Sequence, residues 1–253
     1  MEISRTVSHG LQLHNKLGCS IDGTFVNNIS YADDMVLLSP SIKGLRQLLS
    51  ICERYAEVHG LRYNADKSKL LVFSAGNKRY QYIPPVWIKG TPLKRVSKFK
   101  YLGHWVAADQ RDDVDIERER RALAVRSNML IRRFSKCHKN VKVTLFRAYC
   151  QTFYTCSLWI DHTKKAYSVL RVQYNNAFRA LMGLPKYCSA SGMFTEHNVD
   201  NFYAIMRKRV ASLWSRARKS SNTLLQTVAN RWDGPILKYW MSLHMASSHF
   251  CAK

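Results

Sequence analysis

Asn28-Ile29-Ser30-Tyr31-Ala32-Asp33-Asp34-Met35-Val36-Leu37-Leu38-Ser39 is the stretch on which the fold turns. Two apolar runs flank a polar tetrapeptide, so residues 25–39 read as a β-hairpin with Tyr31-Ala32-Asp33-Asp34 at its bend. Met35-Val36-Leu37-Leu38 shows no polar alternation. That predicts a strand buried on both faces, in the middle of a sheet. Pro40 and Ser41 end it. Leu45, Leu48, Leu49, Cys52, Tyr55 and Ala56 then recur at helical spacing, one buried stripe on a helix that Gly60 stops. A helix is therefore expected to cross behind the hairpin.

The bend carries two adjacent carboxylates. Asp33 and Asp34 repel each other unless a cation neutralises them, and a hard divalent cation takes carboxylate oxygen together with water and substrate phosphate. Two such cations stabilise both the attacking and the leaving oxygen of an in-line phosphoryl displacement. The same pair would also suit a solvated turn, where Asp is common.

Beyond Gly60, Leu61-Arg62-Tyr63-Asn64 and Leu70-Leu71-Val72-Phe73 read as strands. Pro84-Pro85 and Gly90-Thr91-Pro92 mark loops, and Phe99-Lys100-Tyr101-Leu102-Gly103 reads as a further short strand. After Asp109 the pattern becomes helical. Ile116, Leu123, Leu130 and Ile131 mark a long helix; Leu145, Phe146, Tyr149, Cys150 and Phe153 mark another. Tyr167, Leu170, Tyr174, Ala177, Phe178 and Leu181 form a third stripe that ends at Gly183 and Pro185. Phe202, Met206, Leu213 and Trp214 form a fourth, and residues 231–253 read as an aromatic-rich helix after Gly234-Pro235.

The composition is that of a folded protein: 253 residues, 46% hydrophobic and 23% charged, enough for one large or two ordinary domains. The chain lacks both an apolar run long enough for a membrane helix and the build of a signal peptide, so a soluble, intracellular protein is expected. Seven cysteines without a Cys-x-x-Cys pair read as reduced thiols. Forty Lys and Arg against 17 Asp and Glu leave a net charge of +23. The excess is regional, since residues 1–60 hold 5 basic and 6 acidic side chains. A polyanion is the expected partner, because a dispersed basic face releases counterions on binding phosphates; a solvated basic surface would show the same count.

Taken in order, Tyr31-Ala32-Asp33-Asp34, the amphipathic helix, Gly60-Leu61-Arg62-Tyr63-Asn64-Ala65-Asp66-Lys67-Ser68, and Phe99-Lys100-Tyr101-Leu102-Gly103 resemble the reverse transcriptases of non-LTR retrotransposons. The likeness is nearest to the RTE-like branch. The three blocks are similar to that family's palm motifs C, D and E. The implied fold is α+β: a partial reverse-transcriptase palm (β-hairpin plus helix) over residues 1–108, a thumb-like helical region over 109–163, and a helical carboxyl-terminal extension over 164–253. The implied activity is RNA-directed DNA polymerisation with Mg²⁺ or Mn²⁺. Its partners would be an RNA template, a DNA primer and deoxynucleoside triphosphates, and the family's use of chromosomal targets implies a nuclear location.

Residue by residue, the resemblance assigns Asp33 and Asp34 to the metal, and Tyr31 and Ala32 to the primer end and incoming nucleotide. It assigns Lys67 to the motif-D lysine, and Tyr101, Leu102 and Gly103 to the primer grip. An ammonium beside a pyrophosphate leaving group can donate a proton and stabilise charge, although Lys67 equally reads as one more solvated lysine. Tyr101 and Leu102 would also serve as core residues of a short strand. A motif-A aspartate and the glycine-rich motif B have no counterpart. Asp22 sits in a Gly18-to-Gly23 turn that is similar to the loop before motif C. The resemblance thus implies a carboxyl-terminal half with no turnover of its own, and the alternative is a catalytically silent nucleic-acid-binding remnant. Such a half-palm is expected to be poorly soluble, with Val36, Leu37 and Leu38 exposed.

Three other clusters stand out. Asp109, Asp112, Asp113 and Asp115, followed by Glu117 and Glu119, lack EF-hand spacing and fit a helix N-terminus. Cys137-His138 and the group His244, His249 and Cys251 lack zinc-knuckle spacing. Arg120, Arg121, Arg126, Arg132 and Arg133, with Arg207, Lys208 and Arg209, fall on the exposed sides of helices and are candidates for phosphate contact. Tyr149, Phe153 and Trp214 are assigned to the core.

Overall fold

Two-residue loops decide most of the strand pairing. In the computed structural model, which describes residues 17–74 and 82–245, β1 (Cys19–Ile21) returns as β2 (Thr24–Val26) through Asp22-Gly23. β3 (Asn28–Tyr31) returns as β4 (Asp34–Leu37), and β6 (Trp87–Ile88) returns as β7 (Thr91–Pro92). β9 (Lys98–Tyr101) pairs with β10 (His104–Ala107). In three of the four loops both residues have positive φ: Asp22-Gly23 at +47° and +79°, Lys89-Gly90 at +45° and +75°, Leu102-Gly103 at +46° and +85°. That is the backbone of a turn whose twist matches the flanking strands, and it accounts for glycine as the second loop residue. β5 (Lys69–Leu71) and β8 (Lys94–Val96) pair in parallel.

The chain divides into two units, Met1–Phe99 with Lys219–Arg231, and Lys100–Arg218 with Trp232–Lys253. In the first, α1 (Ile42–Val58) begins at Ser41, whose hydroxyl accepts from the Gly44 amide at 3.0 Å. Leu48 and Cys52 pack with Met35, Leu37 and Tyr63, while Leu49 packs with Leu70, Val86 and Ile88. The expected helix behind the hairpin is thus present. Two expectations fail. β4 is not a central strand: it pairs with β3 in a two-stranded sheet, and Val36, Leu37 and Leu38 are half-buried. Its apolar run is covered on one side by α1 instead of by strands on both edges. Leu61-Arg62-Tyr63-Asn64 forms no strand. Gly60 (φ +65°) ends α1, and the Leu61 amide donates back to Ala56 O at 2.7 Å, which takes it out of any ladder.

Near the other end of the chain, α7 (Thr223–Asn230) belongs to this first unit. Thr227 Oγ1 lies 3.0 Å from Thr24 Oγ1, and Arg231 Nε lies 3.3 Å from Asp22.

The second unit is built on α2 (Asp113–Phe134), α3 (Lys139–Cys150), α4 (Lys164–Met182), α5 (Ala190–Glu196), α6 (Phe202–Lys219, its last residue in the first unit) and α8 (Pro235–Met245). One core runs from Ile116 to Met206 and includes Leu123, Leu130, Phe146, Leu170, Tyr174 and Phe178. It spans the expected boundary at 163/164. α4 matches its stripe, with Thr163 capping the Ala166 amide at 3.1 Å and Gly183 closing the helix at φ +72°. α3 stops at Cys150, so Phe153 is buried from the loop that follows and not from the helix. Tyr149, expected in the core, is 45% exposed, and Trp214 is half-buried.

Burial pushes the thiol of Cys52 up to about 11 and those of Cys150 and Cys156 up to about 12. All six cysteines among the described residues are unpaired thiols. No helix among the described residues is long and apolar enough to cross a membrane.

Candidate functional site

Pairing register decides which side chains share a face. Tyr31 stands opposite Asp34 and Ile29 opposite Val36, while Ser30 faces Met35 and Asn28 faces Leu37. Partners in register point to the same side of a sheet. Met35 and Leu37 join the α1 core, so Tyr31 and Asp34 project from the opposite face. Tyr31 is 65% exposed, and Asp33 and Asp34 are both exposed. Asp33 occupies the second loop position. The first is Ala32, at φ +52°. An L residue there carries local backbone strain, and such strain clusters at functional sites. The result is a pair of carboxylates at a tight, exposed tip, braced from behind by a helix.

Two carboxylates supply hard oxygen donors of the kind that Mg²⁺ accepts while it keeps water and substrate phosphate in its other positions. The donor set fits the ion in kind. Among the described residues, no group of three or more His, Cys, Asp or Glu side chains is placed to hold a metal. His138 instead caps α3, accepting from the Asn140 amide; His249 and Cys251 lie outside the described residues.

Lys67 is exposed in a turn built by Asn64, whose Oδ1 accepts from the Lys67 amide at 3.0 Å and whose carbonyl accepts from the Ser68 amide at 3.0 Å. It belongs to the same unit as the hairpin. Tyr101, Leu102 and Gly103 belong to the other unit, where Leu102 and Gly103 form the loop between β9 and β10.

The acidic run at the start of α2 does more than complement a helix dipole. Asp112 and Asp113 hold the segment before α4. Asp112 Oδ2 accepts from the Ile160 amide at 2.8 Å and the Asp161 amide at 3.1 Å, and Asp113 Oδ1 accepts from the Thr163 amide and hydroxyl at 2.9 Å. Asp115 is fully buried. Its carboxylate accepts from the Trp105 amide (3.1 Å), Arg118 Nε (2.7 Å), the Thr155 hydroxyl (2.8 Å) and the Trp159 indole (2.8 Å), and His104 Nδ1 lies 3.1 Å away.

Burial works against the charge on Asp115, yet hydrogen bonds from His104, Arg118, Trp159 and the Trp105 amide outweigh it and hold the carboxyl well below the usual range. Asp112, chiefly through burial, is raised. Glu119, equally buried, accepts from Arg118 Nη1 at 2.9 Å and from Arg126. A signal for these two acids was present, because Asp115, Glu119 and Leu123 fall at i, i+4 and i+8, on the stripe that faces the core.

Those pairings sort the candidate phosphate ligands. Arg120 and Arg121 both bind Glu117, at 2.6 and 2.8 Å, and the Arg120 bond above all holds that carboxyl at about 2. Arg126 is held by Glu119 and Lys208 by Asp200, while Arg209 donates to Gln151 O at 3.3 Å. Arg132 and Arg133 are exposed in the last turn of α2, and Arg207 is half-buried on α6.

Residues 9–106 match the family model of the reverse transcriptase (RNA-dependent DNA polymerase). This segment is under half of the chain, and it contains the hairpin, α1, Lys67 and the Leu102-Gly103 turn. Among curated proteins, none matches the chain.

Proposed function

We propose that this chain supplies the metal-binding hairpin and the primer-contacting turn of a non-LTR retrotransposon reverse transcriptase, an RNA-directed DNA polymerase. The observation that carries the reading is the Tyr31-to-Asp34 hairpin: adjacent exposed carboxylates on a strained two-residue loop, backed by α1, inside the segment that matches the family. Asp33 and Asp34 would hold Mg²⁺ or Mn²⁺, and the ion would stabilise charge that develops on the oxygens of a phosphoryl transfer. Tyr31 and Ala32 lie beside the carboxylates, where a primer end and an incoming nucleotide would sit. Lys67, exposed in its turn, would neutralise and protonate the pyrophosphate leaving group. Tyr101, Leu102 and Gly103 would contact the primer strand. A nuclear location belongs to the same reading, since the substrate would be chromosomal DNA.

Two carboxylates are fewer than a two-cation centre needs, and the reading expects no turnover from this chain alone. A second reading, a silent nucleic-acid-binding remnant, is favoured by one observation: residues 61–253 hold 35 Lys and Arg against 11 Asp and Glu. Anisotropy binding to an RNA-template/DNA-primer duplex across a salt series, with primer extension run in parallel, tests both. Salt-sensitive binding that Asp33→Ala leaves unchanged, without extension, is expected. Mg²⁺-dependent extension that Asp33→Ala abolishes would overturn the expected inactivity, and absence of binding at low salt would dismiss the nucleic-acid reading altogether.

A further inference from the structure

The Leu102-Gly103 turn is held from outside by a residue that the family resemblance does not mention. A Cβ added to Gly103 would lie 2.8 Å from Tyr154 Cε1, so the ring rests directly on the turn. The Tyr154 hydroxyl donates to Leu102 O at 2.9 Å. Ring and hydroxyl together fix two adjacent residues that already occupy the left-handed region.

Tyr154 is itself fixed. On one side Phe153 is 1% exposed in the core; on the other the Thr155 hydroxyl donates to Asp115. The Tyr154 carbonyl accepts from Arg118 Nη2 at 3.1 Å. Asp115 also accepts from the Trp105 amide in β10, the strand that leaves the turn. One buried carboxylate thus ties down both the strand after the turn and the loop that carries the tyrosine. Tyr154 and Leu102 nevertheless remain 56% and 40% exposed, so the clamp closes at a surface that a ligand can reach.

We propose that Tyr154 is a positioning residue for the primer end, holding the Leu102-Gly103 backbone in the geometry that meets the terminal nucleotide. The proposal rests on the reading of this turn as a primer contact. The test uses the full chain with an RNA template and a DNA primer that ends in photoreactive 4-thiothymidine, and maps the crosslinked peptide. In the wild type the crosslink should fall within residues 101–103.

Tyr154→Phe keeps the ring and loses the hydroxyl. The yield at the turn should drop about 2- to 10-fold, the effect of one hydrogen bond, while duplex affinity stays at the wild-type value. Tyr154→Leu should scatter the crosslinks further. Wild-type yield and position in Tyr154→Phe would overturn the positioning role. A wild-type crosslink elsewhere would overturn the primer-contact reading instead, so the two failures are distinguishable. If Tyr154→Leu fails to fold, Tyr154→Phe decides alone.

Discussion

Asp115 gathers hydrogen bonds from the Trp105 amide, Arg118, Thr155 and Trp159 on one buried carboxylate of the second unit. Removing one partner of a buried, hydrogen-bonded charge group leaves the other uncompensated. Asp115→Ala is therefore expected to destabilise the fold by about 3–5 kcal/mol, read from urea denaturation. The carboxyl is depressed in the folded chain, so it binds its proton more readily when unfolded. Its stabilisation is complete above about pH 4, the ordinary Asp value, and is lost as pH falls below it. Glu117, held at about 2, acts with the same sign in the same window; Asp112, raised by burial, acts with the opposite one. Melting temperatures between pH 5 and 2.5 check this, with a shallower slope expected for Asp115→Asn than for the wild type. The acid run was legible as a helix start, but the sequence did not show that Trp105, Thr155 and Trp159 would converge on one of its members. These donors lie 10 to 44 residues away along the chain.

Individual elements were legible where one periodicity dominated. α1 and α4 follow their stripes to the capping residues, because each buries one continuous face. The misread segments are those in which local hydrogen bonding competes with the pattern. At 61–64 the amide of Leu61 caps α1 and Asn64 organises a turn, so an apolar alternation yields no strand.

Two glycines make the energetics at this scale measurable. Gly183 and Gly103 both have positive φ, but a Cβ at Gly183 meets nothing within 4 Å, whereas one at Gly103 meets the Tyr154 ring. Gly183→Ala should cost about 1 kcal/mol, from backbone strain alone. Gly103→Ala should cost about 1–3 kcal/mol more, from overpacking. Equal losses in thermal unfolding would mean that the ring yields freely. At the hairpin tip the sign reverses: Ala32→Gly removes a strained L residue and should stabilise by up to about 1 kcal/mol.

Over the whole chain, a charge of +23 overstates the cations available to a polyanion. Arg118, Arg120, Arg121 and Arg126 are engaged by Asp115, Glu117 and Glu119 within α2 itself, a pairing that composition could not disclose. Arg132→Ala and Arg133→Ala should each lower the salt slope of duplex binding by about one. Arg120→Ala should change it less, because that guanidinium already faces a carboxylate. Equal slopes for the three variants would show that the intrahelical pairs open on binding.

The helix that covers β1 and β2 has a consequence for synthesis. Thr24 and Thr227 meet across 203 residues of sequence, so the β1–β2 hairpin leaves the ribosome long before its cover. Domains otherwise tend to fold as they emerge, the amino-terminal part first. Here stalled nascent chains that end before residue 219 should remain protease-sensitive around residues 19–26, and chains that extend past residue 231 and clear the exit tunnel should become resistant. The β1–β2 hairpin completes its packing only once residues 223–230 have followed it out of the ribosome.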